Sequence, residues 1–206
     1  MPEAALPALE GTLDASGKTF AVVVARFNAF ITERLLLSAC DGLLRCGARR
    51  EDIDIARVPG AFEVPSAGRA LALTGKYDAI ICIGCLLRGD TAHYDVIVNE
   101  VTRGIGQSAQ ETGVPHAFGV VTCENLEQAI DRAGLKMGNK GFEAALAAVE
   151  MASLKAAISA KLSAVSKKYG VGDRTSGVGQ EQIPPSRSAR RRNERPKKKA
   201  SKRRRK

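Results

Sequence analysis

The stretch ICIGCLLRGDTAHYD, residues 81–95, contains the end of an apolar, strand-like run, a short loop and the start of a helical pattern. Its apolar run leads into a loop that carries Gly89, Asp90 and Thr91, and a helical pattern begins at His93. Glycine lets backbone N–H groups approach an oxyanion, and a helix N-terminus favours negative charge. Histidine has an ordinary pKa suited to proton transfer near neutrality. The stretch predicts a site for a phosphate-bearing substrate, although similar loops also occur in α/β domains without catalytic function.

Strand-like and helix-like patterns alternate on both sides of this unit. Because strands that alternate with helices are joined by right-handed crossovers, this order predicts a three-layer α/β/α sandwich around a four-stranded, mainly parallel sheet. Predicted strands cover 19–25, 52–58, 77–87 and 114–122, and predicted helices cover 31–47, 61–75, 93–113, 124–133 and about 138–168.

The carboxyl ends of these strands are the expected ligand site, because parallel α/β sheets bind ligands there. The segments that leave the four strands are Phe27–Asn28, Gly60–Glu63, Gly84–His93 and Thr122–Cys123. We therefore expect side chains from the first three segments to meet around one substrate.

The composition indicates one aliphatic domain with extensions. Of the 206 residues 44% are hydrophobic, only 4% are aromatic, and we find no secretory or membrane-spanning run. We expect a cytoplasmic protein with a flexible N-terminal arm over residues 1–18 and a folded domain over 19–168. Residues 169–206 are predicted to be a disordered linker and basic tail.

The net charge of +10 comes from the tail. Residues 187–206 hold 13 Lys/Arg against one acid, which leaves 19 Lys/Arg and 21 Asp/Glu for residues 1–186. Such a tail suits nonspecific contact with nucleic-acid phosphates, but it also fits an unselective solubilising extension. The folded domain is close to neutral.

Two local patterns carry less weight. Cys82 and Cys85 have the spacing of a metal or redox pair, but they fall within an apolar strand pattern, and only His93 and His116 could add histidine ligands. We therefore expect buried thiols and no metal. The G-x-G-x-x-A match at 104–109 lies inside a helical pattern, whereas a dinucleotide site needs a preceding strand and a following helix.

Five segments together make the chain resemble the 6,7-dimethyl-8-ribityllumazine synthases, which have a flavodoxin-like sheet. They occur in the family's order and spacing within residues 19–155: RFN at 26–28, PGAFEVP at 59–65, GCLLRGDTAHYDVI at 84–97, FGVVTCEN at 118–125 and AIDRAGLKMGNKGFEAA at 129–145.

The resemblance implies a transferase of riboflavin biosynthesis that works without a cofactor. It would condense 5-amino-6-(D-ribitylamino)uracil with 3,4-dihydroxy-2-butanone 4-phosphate through a Schiff base, loss of phosphate and ring closure. His93 would move protons. The phosphate would be bound by Gly89, Asp90, Thr91 and Arg132. The pyrimidine and ribityl groups would contact Phe27, Asn28, Ala61, Phe62, Glu63, Cys85, Leu86, Leu87, Phe118 and Lys140.

The resemblance also implies a homo-oligomer with active sites between subunits. Phe118, Arg132 and Lys140 would come from the adjacent chain, although singly Phe118 also fits a core residue and the two cations fit solvated helix charges. The short turn 133–141 resembles that of members that form 60-subunit shells rather than pentamers or decamers. Riboflavin synthase is a further implied partner. A catalytically quiet flavin- or lumazine-binding shell and a nucleic-acid-binding scaffold that acts through the basic tail remain as alternatives.

Overall fold

The computed structural model describes residues 8–136 and 138–169. Within these residues the predicted order of elements is confirmed. The sequence patterns missed a short 3-10 turn at Arg50–Asp52, and Ala61–Glu63, predicted as the start of a helix, forms a separate 3-10 turn. The elements are β1 (Phe20–Ala25), α1 (Ala29–Arg45), β2 (Ile53–Val58), α2 (Val64–Ala72), β3 (Ala79–Leu87), α3 (His93–Thr112), β4 (His116–Cys123), α4 (Leu126–Arg132) and α5 (Lys140–Tyr169).

The four strands form one parallel sheet in the order β2-β1-β3-β4. All six residues of β1 are buried, because it lies inside the sheet and both of its faces are covered. Alternate residues serve opposite faces: Val22 packs with α1, α4 and α5, whereas Val23 packs with α2 and α3. The predicted three-layer, flavodoxin-like architecture is confirmed.

The strand order creates a crevice between β1 and β3. From β1 the chain passes to β2 on one side, and it then crosses to β3 on the other side of β1. The loops that leave β1 and β3 therefore run to opposite faces, and this topological switch point is where open α/β sheets bind their ligands. The loop at residues 26–28 and the loop at residues 88–92 border this crevice.

The segment before β1 differs from the flexible arm that the sequence predicts. Ala15 is fully buried, and its N–H donates to the Cys46 carbonyl at 2.8 Å. Thr12 donates its N–H to Ser153 Oγ at 3.1 Å, and Gly11 lies so close to the Glu150 carbonyl that a Cβ would sit 2.1 Å from it. Small residues thus let this segment pack against α5 and the end of α1.

Two other predictions bear on the architecture. The G-x-G-x-x-A match at 104–109 lies inside α3, where a Cβ on Gly104 would collide with Pro65, so its rejection as a dinucleotide site is confirmed. None of the described helices has the length and apolar character needed to cross a membrane. The predicted linker and basic tail from residue 170 onward lie outside the described residues.

Candidate active site

A cavity of about 460 Å³ opens at the carboxyl ends of β1 and β3. It brings together ten of the predicted site residues. It also contains Gly60, which belongs to the predicted segment Gly60–Glu63, and Tyr94 and Ile97, which the sequence analysis missed. Tyr94 and Ile97 lie one and four residues beyond His93, so helical spacing was the signal that could have found them. The predicted residues in the lining are Phe27, Asn28, Ala61, Phe62, Cys85, Leu86, Leu87, Gly89, Thr91 and His93.

Two phenylalanines form exposed apolar walls of this cavity. Phe27 follows β1 and is 70% exposed, and Phe62 lies in the 3-10 turn after β2 and is 56% exposed. Two backbone hydrogen bonds join the two loops: the Arg26 N–H donates to the Val58 carbonyl, and the Phe27 N–H donates to the Pro59 carbonyl. Large exposed aromatic rings on a fixed backbone offer flat surfaces for a planar ligand.

Asn28 links β1 to β3. Its backbone is left-handed, with φ 59° and ψ 43°, a conformation that asparagine tolerates better than most residues. Its Nδ2 donates to the Cys85 carbonyl at 2.9 Å, and its own carbonyl accepts from the N–H groups of Ile31 and Thr32. The side chain therefore holds the β1 loop in place, a role that its position in the sequence did not reveal.

Glu63 organises the loop after β2. Its Oε2 accepts from the Gly60 N–H at 2.9 Å, which closes the 3-10 turn that presents Ala61 and Phe62. Glu63 does not itself line the cavity within the single chain. The structure therefore assigns this carboxylate to loop geometry, and its predicted contact with a ribityl group stays a prediction.

The loop Gly89–Thr91 has the features of an anion site. The N–H groups of Gly89, Asp90 and Thr91 donate to no backbone carbonyl among the described residues. Gly89 does not have a positive φ, and a Cβ added to it would meet no atom of the described protein within 4 Å. Neither strain nor packing within the described chain therefore requires a glycine here, and the loop backbone is open to close approach by a ligand.

Fixed positive charge is missing from the cavity, because its described lining contains neither lysine nor arginine. Arg88 lies next to the loop, but its guanidinium is paired with Asp95 at 3.0 Å and with Glu124 at 2.6 Å. Its hydrogen bonds hold the pKa of the Asp95 carboxyl below the usual range. A phosphate bound here would therefore meet no lysine or arginine of the described lining.

The two histidines have different environments. His93 is the first residue of α3, and its exposed ring borders the cavity. His116 lies at the opposite end of the sheet, partly buried. Its Nδ1 donates to the Val114 carbonyl at 2.8 Å, so Nε2 accepts from Ser108 Oγ at 2.9 Å. Burial lowers the pKa of His116. Only His93 is placed to exchange protons with a ligand in the cavity.

Five predicted residues lie outside the cavity lining, among them Glu63 and the exposed Asp90 of the loop. The other three lie beside one another. Phe118, Arg132 and Lys140 line a second, more open depression of about 370 Å³ along β4. Phe118 is 45% exposed, Arg132 ends α4, and Lys140 begins α5, where it pairs with Glu143. One chain therefore carries the predicted residues in two separate groups.

The cysteines in the central strand are buried, as predicted. Cys82 is inaccessible and Cys85 is nearly so. Burial raises the pKa of both thiols to about 12, which keeps them protonated at neutral pH. Their side chains pack as small apolar groups on opposite faces of the sheet.

Comparison with known proteins identifies the family. The model of the 6,7-dimethyl-8-ribityllumazine synthases matches residues 17–156. The chain belongs to this family. Among curated lumazine synthases, that of Desulfotalea psychrophila is 56% identical over 146 residues, which cover 71% of this chain and 94% of that protein. The proteins of Chlorobium phaeobacteroides and Chlorobaculum tepidum are 54% and 56% identical over alignments of the same coverage. The family match ends before the basic tail.

Proposed function

We propose that the cavity between β1 and β3 is one half of the active site in which the chain carries out its family's reaction. The chain is a transferase of riboflavin biosynthesis. It condenses 5-amino-6-(D-ribitylamino)uracil with 3,4-dihydroxy-2-butanone 4-phosphate to 6,7-dimethyl-8-ribityllumazine, phosphate and water. The observation that carries the assignment of the cavity is its phosphate-type loop beside exposed aromatic walls and an accessible histidine.

The aromatic end of the cavity suits the pyrimidine. The exposed rings of Phe27 and Phe62 offer stacking surfaces. Asn28 uses its Nδ2 to hold Cys85, so its Oδ1 is the atom that we assign to a ribityl hydroxyl. Glu63 has a second carboxylate oxygen for the same purpose, and further partners are backbone groups of the neighbouring residues Ala61, Phe62, Cys85, Leu86 and Leu87.

The loop end suits the second substrate. The N–H groups of Gly89, Asp90 and Thr91 would donate to the phosphate, and the Thr91 hydroxyl would add a further hydrogen bond. His93 would protonate the departing hydroxyl during imine formation, and it would remove a carbon-bound proton as phosphate leaves. Each step pairs a proton transfer with the bond that breaks, which is the work of a general acid and base.

The second group of residues completes the site from a neighbouring subunit. The cavity lacks a fixed cation within the described chain, whereas Arg132 and Lys140 lie together with Phe118 at the edge of the sheet. In a homo-oligomer, Arg132 of one subunit would pair with the phosphate bound by the next. Phe118 would close over the ring, and Lys140 would reach the pyrimidine and ribityl part of the ligand.

The reaction is tested by following lumazine formation by absorbance, with release of phosphate measured in parallel. We expect turnover that requires both substrates and releases phosphate as lumazine appears. Riboflavin binding without turnover, in protein that is correctly assembled, would instead support the catalytically quiet binding shell. A variant with Asn99, an exposed residue of α3, changed to Ala serves as a control and should keep full activity.

A pentamer-based shell of 60 subunits is the assembly that we propose. Its support is the short connection between α4 and α5, which Asn139 closes: Nδ2 donates to the Ala133 carbonyl at 2.8 Å, and Oδ1 accepts from the Gly141 N–H at 2.9 Å. Riboflavin synthase, which acts on the product, is the proposed protein partner. Sedimentation velocity would separate a pentamer, a decamer and a shell, and either smaller species alone would contradict the proposal.

Nucleic-acid contact through residues 187–206 is a second proposal, based on charge alone. The tail has a charge of +12, while residues 1–186 sum to −2. In an oligomer, many tails would bind one polyanion with avidity. We expect RNA binding that weakens as salt rises and disappears when residues 184–206 are deleted, with turnover unchanged. Binding that survives this deletion would refute the proposal.

A further inference from the structure

Arg88 connects three elements around the candidate phosphate loop. Its Nε donates to Glu124 Oε2 at 2.6 Å, just after β4, while Nη1 and Nη2 donate to both oxygens of Asp95 in α3 at 3.1 and 3.0 Å. Its guanidinium lies 4.2 Å from the centroid of the Tyr94 ring. Its backbone N–H donates to the Cys123 carbonyl at 2.9 Å.

These contacts fix the Gly89–Thr91 loop at both of its ends. Arg88 precedes Gly89–Thr91, and Asp95 follows it in the first turn of α3, so the bidentate ion pair spans the whole loop. Since the loop N–H groups make no backbone hydrogen bonds within the described chain, they do not fix the loop themselves. A loop held in its binding conformation loses less entropy when a ligand binds.

Arg88 also offsets negative charge beside the loop. Asp95 and Glu124 both contact its guanidinium, and Asp90 adds a third carboxylate within the loop. Without the guanidinium, Asp95 and Glu124 would lack this partner and would repel a phosphate. Lysine is not an equivalent replacement, because an ammonium group cannot form the planar, bidentate contact with Asp95 while bonding Glu124.

We propose that Arg88 is a positioning residue for the phosphate-bearing substrate: it fixes the Gly89–Thr91 loop through Asp95 and Glu124 and does not bind the phosphate itself. This role rests on the proposed function of the loop. It goes beyond that function because it assigns the geometry of the loop to the cluster of Arg88, Asp95, Glu124 and Tyr94. Of these four residues only Tyr94 lines the cavity.

The first test compares Arg88→Met and Arg88→Lys in the full-length assembled protein. For Arg88→Met we expect the KM of the phosphate-bearing substrate to rise about tenfold, equivalent to about 1.4 kcal/mol, with less than about a twofold change for the pyrimidine. Arg88→Lys should fall between wild type and Arg88→Met. Arg103→Met is the matched control, because Arg103 pairs with Glu100 on the exposed surface of α3.

A second variant separates positioning from charge. Arg88→Met combined with Asp95→Asn and Glu124→Gln replaces both carboxylates by neutral amides but does not restore the contacts that hold the loop in place. We expect it to recover less than half of the lost affinity for the phosphate-bearing substrate. Full recovery would show that Arg88 acts only by neutralising charge, and it would overturn the positioning role.

A third measurement does not depend on turnover. Binding of inorganic phosphate to the assembled protein, followed by calorimetry, should weaken by a similar factor in Arg88→Met and stay unchanged in Arg103→Met. If wild type lacks turnover but shows this pattern, the proposed reaction fails and the role of Arg88 stands. Equal phosphate affinities, or equal rises in both KM values with a lower Tm, would overturn the role.

Discussion

The cavity between β1 and β3 and the depression along β4 have complementary chemistry. The cavity offers aromatic walls, loop N–H groups and His93, but its described lining contains no fixed cation. The depression contains Arg132 and Lys140 beside Phe118, but no histidine lines it within the described chain. Each region holds what the other lacks, as we propose for the two halves of one site.

Their positions in the sheet explain the difference. The cavity lies at the ends of the two inner strands, where diverging loops create a crevice within the chain. The depression lies along β4, which pairs only with β3 among the described strands. An edge strand faces outward, where a second subunit can reach it. We infer that the cavity is formed by the fold alone, whereas the complete site requires assembly.

Removing the proton carrier should have the largest effect. His93→Gln keeps a polar side chain but cannot move protons, so we expect kcat to fall roughly 100- to 10,000-fold. Lumazine absorbance measures the rate. His116→Gln provides the matched control, since His116 lies at the other end of the sheet and should leave kcat almost unchanged. Equal losses in the two variants would contradict the assignment of His93.

Removing the cation of the β4 depression should have the next largest effect. Arg132→Ala should lower kcat/KM for the phosphate-bearing substrate by about 10- to 100-fold, because a charged hydrogen bond contributes roughly 1.5–3 kcal/mol. Steady-state kinetics with each substrate varied in turn would locate the loss. Lys136→Ala, also in an exposed position, is the control. A loss of kcat/KM confined to the pyrimidine substrate would contradict the assignment of Arg132 to the phosphate.

A methyl group in the phosphate loop should separate binding from stability. Gly89→Ala meets no atom within 4 Å and requires no positive φ, so we expect unchanged or slightly higher stability but about tenfold weaker use of the phosphate-bearing substrate. Kinetics and thermal unfolding test the two parts. Gly106→Ala, inside α3 and equally uncrowded, should raise stability and leave turnover unchanged. Wild-type kinetics in Gly89→Ala would contradict a role of the loop in binding the phosphate-bearing substrate.

The smallest expected effect is the contribution of His116 to the pH dependence of stability. Burial lowers the folded-state pKa of His116, so its stabilising contribution is present above the unfolded value of about 6.5 and is lost as pH falls through the folded pKa. Urea midpoints at pH 7.5 and pH 5 should therefore differ less in His116→Gln than in wild type. An equal difference in both proteins would show that His116 does not contribute.

Much of the fold was predictable because the local patterns agree with the sheet. The continuous apolar run at β1 indicated a strand covered on both faces, and the 3-4 spacing after His93 indicated α3. Residues 11–18 were not predictable, because Gly11 and Ala15 show no periodicity and their burial depends on distant partners in α1 and α5. Patterns within a segment do not reveal such contacts.

Most residues around the cavity were predictable as a set, but their geometry was not. The segments after β1, β2 and β3 meet as the parallel sheet requires, and this places Phe27, Phe62 and His93 around one cavity. The second role of Asn28 was hidden, because its bond to Cys85 joins residues 57 positions apart. Arg88 was missed for the same reason, since Glu124 approaches it only when β3 and β4 pair.

Mixing two impaired variants tests the proposed shared site most directly. His93→Ala and Arg132→Ala are purified separately, dissociated, mixed in equal amounts and reassembled, and lumazine formation is measured. If the two residues act across a subunit boundary, random assembly restores about one quarter of the sites to full composition, and activity returns accordingly. If both residues act within one chain, every site still contains one of the two substitutions. Activity that stays at the level of the separate variants would contradict a site shared between subunits.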